Sequence, residues 1–469
     1  MPLSEWHASG SRSRMSDSQN DDNSRPVRAR ANLTRRALLG TAAAGATTAA
    51  AGSALAQSPF GWLENLANQG FGAGGRPAGK EPARQPEQLN DLRTDRVPWR
   101  SDEMLANVDK AIDRYERIVA NGGWPAIPTG RLLRLDDDDD RIIPIKRRLG
   151  MSGDLRAQQS YFTNPRFDER LEEAVRSFQE QFGLRPTGRI DRPTLAQLAA
   201  PARARLEQLK LNQRRLRELS MGRIEDRYVL VNAAAFQLEA VENYQVQLRH
   251  RVIAGKPDRQ TPSVKANIRA LNFFPFWNVP DSVAMLDLIP RVRKEPDYLE
   301  KEHIRAYTPK GEMIDMRSIN WDNVDLKHVR FKQDPGPHNA LGLVRIDMPN
   351  SEIVYMHDTP MKQLFNQRVR PFSAGCVRVQ DVFTLVEWLA RFEMGWDQPG
   401  RAMAVVDAGQ ALDVTLSRPV PVYFTYVTAW AEGDGRAVFR PDVYGRDGLR
   451  ELVGERDPDA PPPPVTLAP

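Results

Sequence analysis

Ile353-Val-Tyr-Met-His-Asp-Thr-Pro360 and, further on, Ser373-Ala-Gly-Cys-Val-Arg-Val379 are joined by a mostly polar and basic link. They hold Cys376, the one cysteine in 469 residues, and His357, one of six histidines. A thiol becomes a strong nucleophile near neutral pH when an imidazole takes its proton, and a glycine beside it lets a carbonyl approach backbone donors. Read as a strand, residues 353–357 put Ile353, Tyr355 and His357 on one face. Thr359-Pro360 breaks that strand just past the histidine and places it at a sheet rim. Eighteen residues lie between His357 and Cys376, enough to cross a turn and return beside the strand end. A helix is predicted from Asp381, with Val382, Leu385, Val386 and Leu389 on one face; its positive end and Arg378 would favour the thiolate. The amides of Gly375 and Cys376 are candidates for an oxyanion hole.

Upstream, Tyr228-Val-Leu-Val-Asn-Ala, Ala235-Phe-Gln-Leu-Glu-Ala and Gln245-Val-Gln-Leu-Arg-His-Arg-Val-Ile have the two-residue period of strands, followed by a turn-rich loop at 254–262. Strands are also predicted at Leu341–Ile346, Val405-Val406, Val414 and Val420–Val427. Residues 281–330 interrupt this β pattern with two helical patterns, several prolines and many charges, which reads as a helical insertion of the kind that forms lids. The whole β region is taken as 226–430, with 431–469 as a C-terminal tail whose Pro461–Pro464 end reads as disordered.

Towards the N-terminus the period becomes helical. Ala202–Leu219 is a basic helix within a connection, 201–225. Residues 141–200 carry three helical patterns: Ile142, Ile145 and Leu149; Leu171, Val175, Phe178 and Phe182; Thr194, Leu195 and Leu198. Met104, Val108, Ile112, Tyr115 and Val119 mark a further helix in a subdomain over 101–140, capped at Ser101-Asp102 and ended by Asn121-Gly122-Gly123. The acidic run Asp136–Asp140 lacks the spacing of a calcium loop and reads as solvated. Residues 57–100 read as linker, with a short helix around Trp62–Leu66.

Residues 1–56 have the form of a twin-arginine-type export signal: Arg35-Arg36, a weakly apolar Ala/Gly/Thr run, and Ala54-Leu55-Ala56 before Gln57, with Met1 or Met15 as the start. That run is too short and too poor in Leu, Ile and Val for a lasting membrane span, so periplasmic localisation is expected. The formal charge is +5, and without residues 1–56 the chain has 59 basic and 57 acidic side chains, which gives no support to nucleic-acid binding. A lone thiol in an oxidising compartment has no internal disulfide partner, so its expected role is chemical. At this length, with 41% hydrophobic residues, nine Trp and seventeen Phe, two or three globular domains are expected.

Phe167-Asp168, Ala174-Val175, Phe178-Gln179, Gly183-Leu184, Gly188, Ile190-Asp191 and Thr194 resemble the peptidoglycan-binding type 1 module, a compact three-helix unit. His357-Asp358-Thr359-Pro360, Leu364-Phe365, Arg370 and Ser373–Val379 resemble the L,D-transpeptidase (YkuD-type) catalytic domain, in particular its larger YcbB-like members. Gly255-Lys256, Thr261-Pro262, Trp277–Pro280 and Pro335–Gly342 extend that resemblance, which covers about residues 100–430. Ala374 stands where many members carry His or Ser; Arg378 stands where the broader family has Asn but the YcbB-like subset has Arg. The resemblance implies an α+β multidomain fold: a β-rich catalytic domain with a helical lid insertion, preceded by a small helical peptidoglycan-binding domain. It implies that Cys376 attacks the carbonyl between the third and fourth residues of a tetrapeptide stem, releases D-alanine and forms a thioester that an amine resolves into a 3→3 cross-link. His357 would be the base, held by the main-chain carbonyl of Asp358, and no metal or organic cofactor is implied.

Several residues keep two readings on the sequence. Ser373 is a turn-forming hydroxyl or a substrate contact, and Arg378 pairs with a stem carboxylate or braces the loop. Tyr355 and Trp277 touch substrate or only pack, Asn339 is a candidate substrate contact, and His338 is a rival base or a loop residue. The activity also keeps alternatives: an L,D-carboxypeptidase with water as acceptor, a transpeptidase that anchors envelope proteins, or a non-catalytic wall-binding scaffold. The expected partners are peptidoglycan stem peptides and glycan.

Overall fold

The computed structural model describes residues 91–449. The stretch 1–56 read as an export signal, most of the segment read as linker with its helix around Trp62–Leu66, and the Pro461–Pro464 end lie outside the described residues.

The three helical patterns of 141–200 are three helices: α2 (Ile142–Ser152), α3 (Glu169–Gln181) and α4 (Arg192–Ala199). They follow α1 (Asp102–Ala120), whose first turn is capped by the Ser101 hydroxyl accepting from the Met104 amide at 3.1 Å. Asp168 and Asp191 cap α3 and α4 in the same way, so local sequence sets all three starts. α5 (Ala202–Ser220) lies along α1 and buries Leu206, Leu209 and Leu216.

The β region opens with β1 (Arg227–Asn232), β2 (Gln237–Glu242), β3 (Gln245–Gly255) and β4 (Val264–Phe273). After an insertion containing β5 (Trp277–Asn278), β6 (Ile304–Tyr307), β7 (Met313–Ile314) and β8 (Arg330–Gln333), it continues with β9 (Val344–Asp347), β10 (Met356–His357), β11 (Pro371–Ser373), β12 (Val377–Val379) and β13 (Leu412–Thr425). Nine strands form one sheet in the order β11-β3-β12-β10-β9-β4-β13-β1-β2, and β2 also pairs with β3, so the sheet closes on itself. β1 is apolar on both faces for a physical reason: Val229 and Val231 fill the core inside the sheet, while Tyr228 and Leu230 join the core of the helical part. Helical and β parts therefore share one hydrophobic seam, which β14 (Ala429–Ala431) and β15 (Ala437–Phe439) extend.

Five expectations are corrected. Residues 91–100, read as linker, lie along the β2–β3 hairpin and are hydrogen-bonded to it. The C-terminal stretch is folded as far as residue 449: Phe439 stacks on Phe182 and Tyr444 on Tyr426. The insertion is only half helical. Its helical part ends with a short helix, Tyr298–Lys301, and β6, β7 and β8 then build a four-stranded antiparallel sheet on β5. Val405 and Val406 lie in a helix, Arg401–Ala408, as part of the unbroken Ala/Met/Val run Ala402–Val406 that begins two residues after Gly400. Finally, the strand read at 353–357 is confined to Met356–His357, because Ile353 has φ +56° and is 81% exposed.

Candidate active site

β10 and β12 run parallel, with Met356 opposite Val377 and His357 opposite Arg378. Parallel neighbours need a long crossover, and residues 358–376 supply it through the 3₁₀ turn Lys362–Asn366 and β11. The register sorts the side chains. Met356, Val377 and Val379 belong to the sheet core, so His357 and Arg378 share the other face, while Tyr355 and Cys376, one residue before each strand, sit beside them and also pack against that core. Cys376 stands beside Tyr355, whose carbonyl accepts from the Val377 amide at 3.0 Å, and His357 is its neighbour on the diagonal.

His357 is 4% exposed. Its Nδ1 lies 2.5 Å from the Asp358 carbonyl oxygen, which only accepts, so Nδ1 carries the hydrogen and Nε2 is the basic nitrogen. Burial and then the positive charge of Arg378 push the ring down to about 3, against the pull of the Asp358 and Leu341 carbonyls. The Asp358 carboxylate accepts from the Leu343 amide at 3.0 Å and pairs with Lys362. Gly342, at φ +60°, lies so close that a Cβ would meet that carboxylate.

Cys376 is half-buried. Burial pushes its thiol above the ordinary value, more strongly than Tyr355, Arg378 and Arg345 pull it down. This corrects the expectation of a favoured thiolate. The helix Val382–Ala390 does not help, because it starts at the far end of β12 and a helix end acts only within about one turn. Cys376 and Trp277 both lie near the Tyr355 hydroxyl, and the Tyr355 ring meets His357 edge-on at 5.7 Å. Among the described residues no hydrogen bond joins Cys376 to His357, so the structure brings the three together without pairing the thiol with the imidazole.

The turn before Cys376 is closed by Ser373, whose hydroxyl donates to the Cys376 carbonyl at 2.5 Å and accepts from the Gly375 amide at 3.2 Å. Ser373 thus shapes the loop, and the Gly375 amide is already engaged; the Cys376 amide has no acceptor among the described residues. Gly375 adopts φ +121°, which bars side chains, and its carbonyl accepts from the Thr261 hydroxyl at 2.8 Å. Thr261 also accepts from the Gly255 amide at 2.8 Å. Its supporting role leaves no periodic trace; the Thr261-Pro262 dipeptide was the only signal.

Arg378 is 4% exposed, and among the described residues it has no carboxylate partner. One Nη lies 3.7 Å from the Met361 sulfur, and Nε is unpartnered. Trp277 is buried against the insertion core. Asn339 is corrected from a substrate contact to a loop brace: it is fully buried, its Nδ2 donates to the Asp334 and Pro275 carbonyls at 2.9 and 3.2 Å, and its Oδ1 accepts from the Leu341 amide. His338 packs against His303 of the insertion, with ring centroids 4.0 Å apart and planes tilted by 35°. Among the described residues no three His, Cys, Asp or Glu side chains converge as metal ligands, and no helix is long and apolar enough to cross a membrane.

Residues 226–422 match the family model described as the L,D-transpeptidase catalytic domain (YkuD), and residues 155–198 the one described as "Putative peptidoglycan binding domain". A Haemophilus influenzae protein named "Putative L,D-transpeptidase" is 33% identical over 220 residues, which are 47% of this chain and 44% of that protein's length. Among solved structures, an L,D-transpeptidase from Mycobacterium smegmatis is 12% identical, over 43% of this chain and 58% of that one, with a TM-score of 0.21. Another, from Stackebrandtia nassauensis, is 11% identical over 64% and 96%, with a TM-score of 0.24. The chain carries a helical peptidoglycan-binding-type module followed by a β-rich domain of the YkuD L,D-transpeptidase type.

Proposed function

We propose that the protein is a cysteine-dependent L,D-transpeptidase of the larger, YcbB-like kind, exported to the periplasm by the twin-arginine route and forming 3→3 cross-links between peptidoglycan tetrapeptide stems. The observation that carries this reading is that the pairing of β10 with β12 brings His357 and Arg378 together, with Tyr355 and Cys376 at the entrances of the two strands. A neutral imidazole with its Nδ1 hydrogen committed to a carbonyl is a base ready to accept a thiol proton.

As the stem carbonyl arrives, the sulfur turns towards His357 and attacks while its proton passes to Nε2. Breaking the C–N bond expels D-alanine, whose nitrogen takes that proton from the imidazolium, and leaves a thioester on Cys376. The amine of a second stem attacks the thioester, gives a proton to His357, and sulfur leaves to recover it. The oxyanion formed in each step faces the Cys376 amide, which has no acceptor at rest, and Arg378 supplies positive charge beside it. In this scheme Ser373 and Gly375 shape the loop and Asp358 orients His357. Tyr355 lies beside the resting thiol, and Trp277 beside Tyr355.

Incubating the mature protein with disaccharide-tetrapeptide and weighing the products tests the acceptor. Tetrapeptide–tripeptide dimers linked 3→3 are expected. Tripeptide monomers alone would mean a carboxypeptidase, and stems joined to an envelope protein an anchoring enzyme. No turnover, with retained binding to the wall, would leave only a scaffold.

A further inference from the structure

The stretch before α1 does more than line the β2–β3 hairpin. Along the β2–β3 hairpin, the Val246 amide donates to the Arg96 carbonyl at 3.0 Å, the Trp99 amide to Glu239 Oε1 at 2.8 Å, and Gln237 Nε2 to the Asp91 carbonyl at 2.7 Å. At its start the Asp91 carboxylate takes two guanidiniums: Arg370 Nη1 on Oδ2 at 2.7 Å and Arg251 Nε on Oδ1 at 2.6 Å.

These arginines hold the two legs of the loop that carries Cys376. Arg370, fully buried and six residues before the cysteine, also donates to the Phe236 and Val252 carbonyls at 2.9 and 3.1 Å. Its own carbonyl accepts from the Ala254 amide at 3.1 Å, and β11 then runs to Ser373, which closes the turn on Cys376. On the far leg, Gln380 lies four residues after the cysteine. Its amide donates to the Arg251 carbonyl at 3.0 Å, and its side-chain oxygen accepts from Arg251 Nη1 at 3.2 Å.

We infer that Asp91 is a positioning residue for the nucleophile: one carboxylate, from a strap outside the 226–422 catalytic match, clamps the entering leg through Arg370 and the leaving leg through Arg251 and Gln380. Burial raises the Asp91 carboxyl, but the two guanidiniums outweigh it and hold it below its ordinary value, so the clamp is charged at neutral pH. The inference rests on Cys376 being the nucleophile.

The test uses the full mature chain with Asp91→Asn, Asp91→Glu and Arg251→Met, and takes two readouts. One is the saturable rate of Cys376 acylation by disaccharide-tetrapeptide; the other is hydrogen exchange over 367–380. A loosened loop costs rate more than affinity, so Asp91→Asn is expected to slow maximal acylation about tenfold with half-saturation moved less than about twofold. Exchange should quicken at 367–380 and stay unchanged in α2, Asp91→Glu should restore most of the rate, and Arg251→Met should move it less in the same direction. A folded Asp91→Asn protein with unchanged acylation and exchange overturns the inference, and so does a loss with exchange raised throughout and no rescue by Glu. If Asp91→Asn does not fold, Arg251→Met decides by the same criteria. If the wild type is never acylated, the nucleophile reading fails and exchange alone decides the clamp: faster exchange confined to 367–380 upholds it, and unchanged exchange overturns it.

Discussion

A thiol pushed up by burial and an imidazole pushed down by burial and a neighbouring cation both rest uncharged, so Cys376 and His357 form a neutral pair and not a thiolate–imidazolium one. The pH dependence follows. A base with the ordinary histidine value would lose half its acylation rate near pH 6.5, whereas His357, at about 3, is expected to stay competent, giving a flat rate from about pH 5 to 8. Halving near pH 6.5 in single-turnover acylation would contradict this. Stability has the same origin. As pH falls below about 6.5 the unfolded chain takes up a proton that the folded His357 refuses until about 3, so stability falls through that window, and His357→Gln should flatten the fall. Alkylation of Cys376 by iodoacetamide should still be rising above pH 9, because burial raises the thiol. The sequence made this pair legible through a lone cysteine beside Gly375 and a histidine one crossover earlier. It could not reveal the ionisation, which depends on burial and on Arg378 lying across from His357. The Asn339 assignment failed for a related reason, since nothing local says that an amide's hydrogen bonds are used up inside its own loop.

At the scale of elements, the insertion is tied to the loop beneath Cys376 by one buried ion pair. Arg259 reaches Asp287 at 2.5 and 3.2 Å, and Asp287 sits in a π-helical turn, Ala284–Leu288. Loops of this kind gate many sites, and π turns are frequent at them. Removing one member of a buried pair strands the other, so Asp287→Ala is expected to cost about 3–5 kcal/mol. In denaturant unfolding followed with hydrogen exchange, the loss should appear first as faster exchange across 281–294; protection unchanged there would show that the pair holds nothing. Periodicity revealed the helical start of the insertion. It missed β6, β7 and β8, which have two to four residues each, too few for a two-residue period to register. The parallel pairing of β10 with β12 was equally invisible, because two- and three-residue strands take their register from the crossover and not from their own pattern.

Over the whole molecule, the helical and β parts are joined by aromatic packing. Trp99 meets Trp430 edge-on at 5.7 Å, Phe182 stacks on Phe439 at 5.0 Å, and β1 feeds both cores. Trp430 is fully buried, so Trp430→Ala should cost about 3–5 kcal/mol and lower a single thermal transition for both parts. Two separate transitions in the wild type would show that the parts fold independently. The sequence marked both parts, because each has its own period, but it hid their union. Residues 91–100 and 431–449 look like linker and tail, and their partners lie far away in the chain. As proposed above, the face built by β10 and β12 makes Cys376 an acyl-accepting nucleophile. The most direct measurement of this is the intact mass of the protein after brief exposure to disaccharide-tetrapeptide, with peptide mapping of the adduct. The account predicts an added acyl group lacking D-alanine, on Cys376, present in the wild type, absent in Cys376→Ala and strongly slowed in His357→Ala; D-alanine release with Cys376 unmodified and dispensable would contradict it.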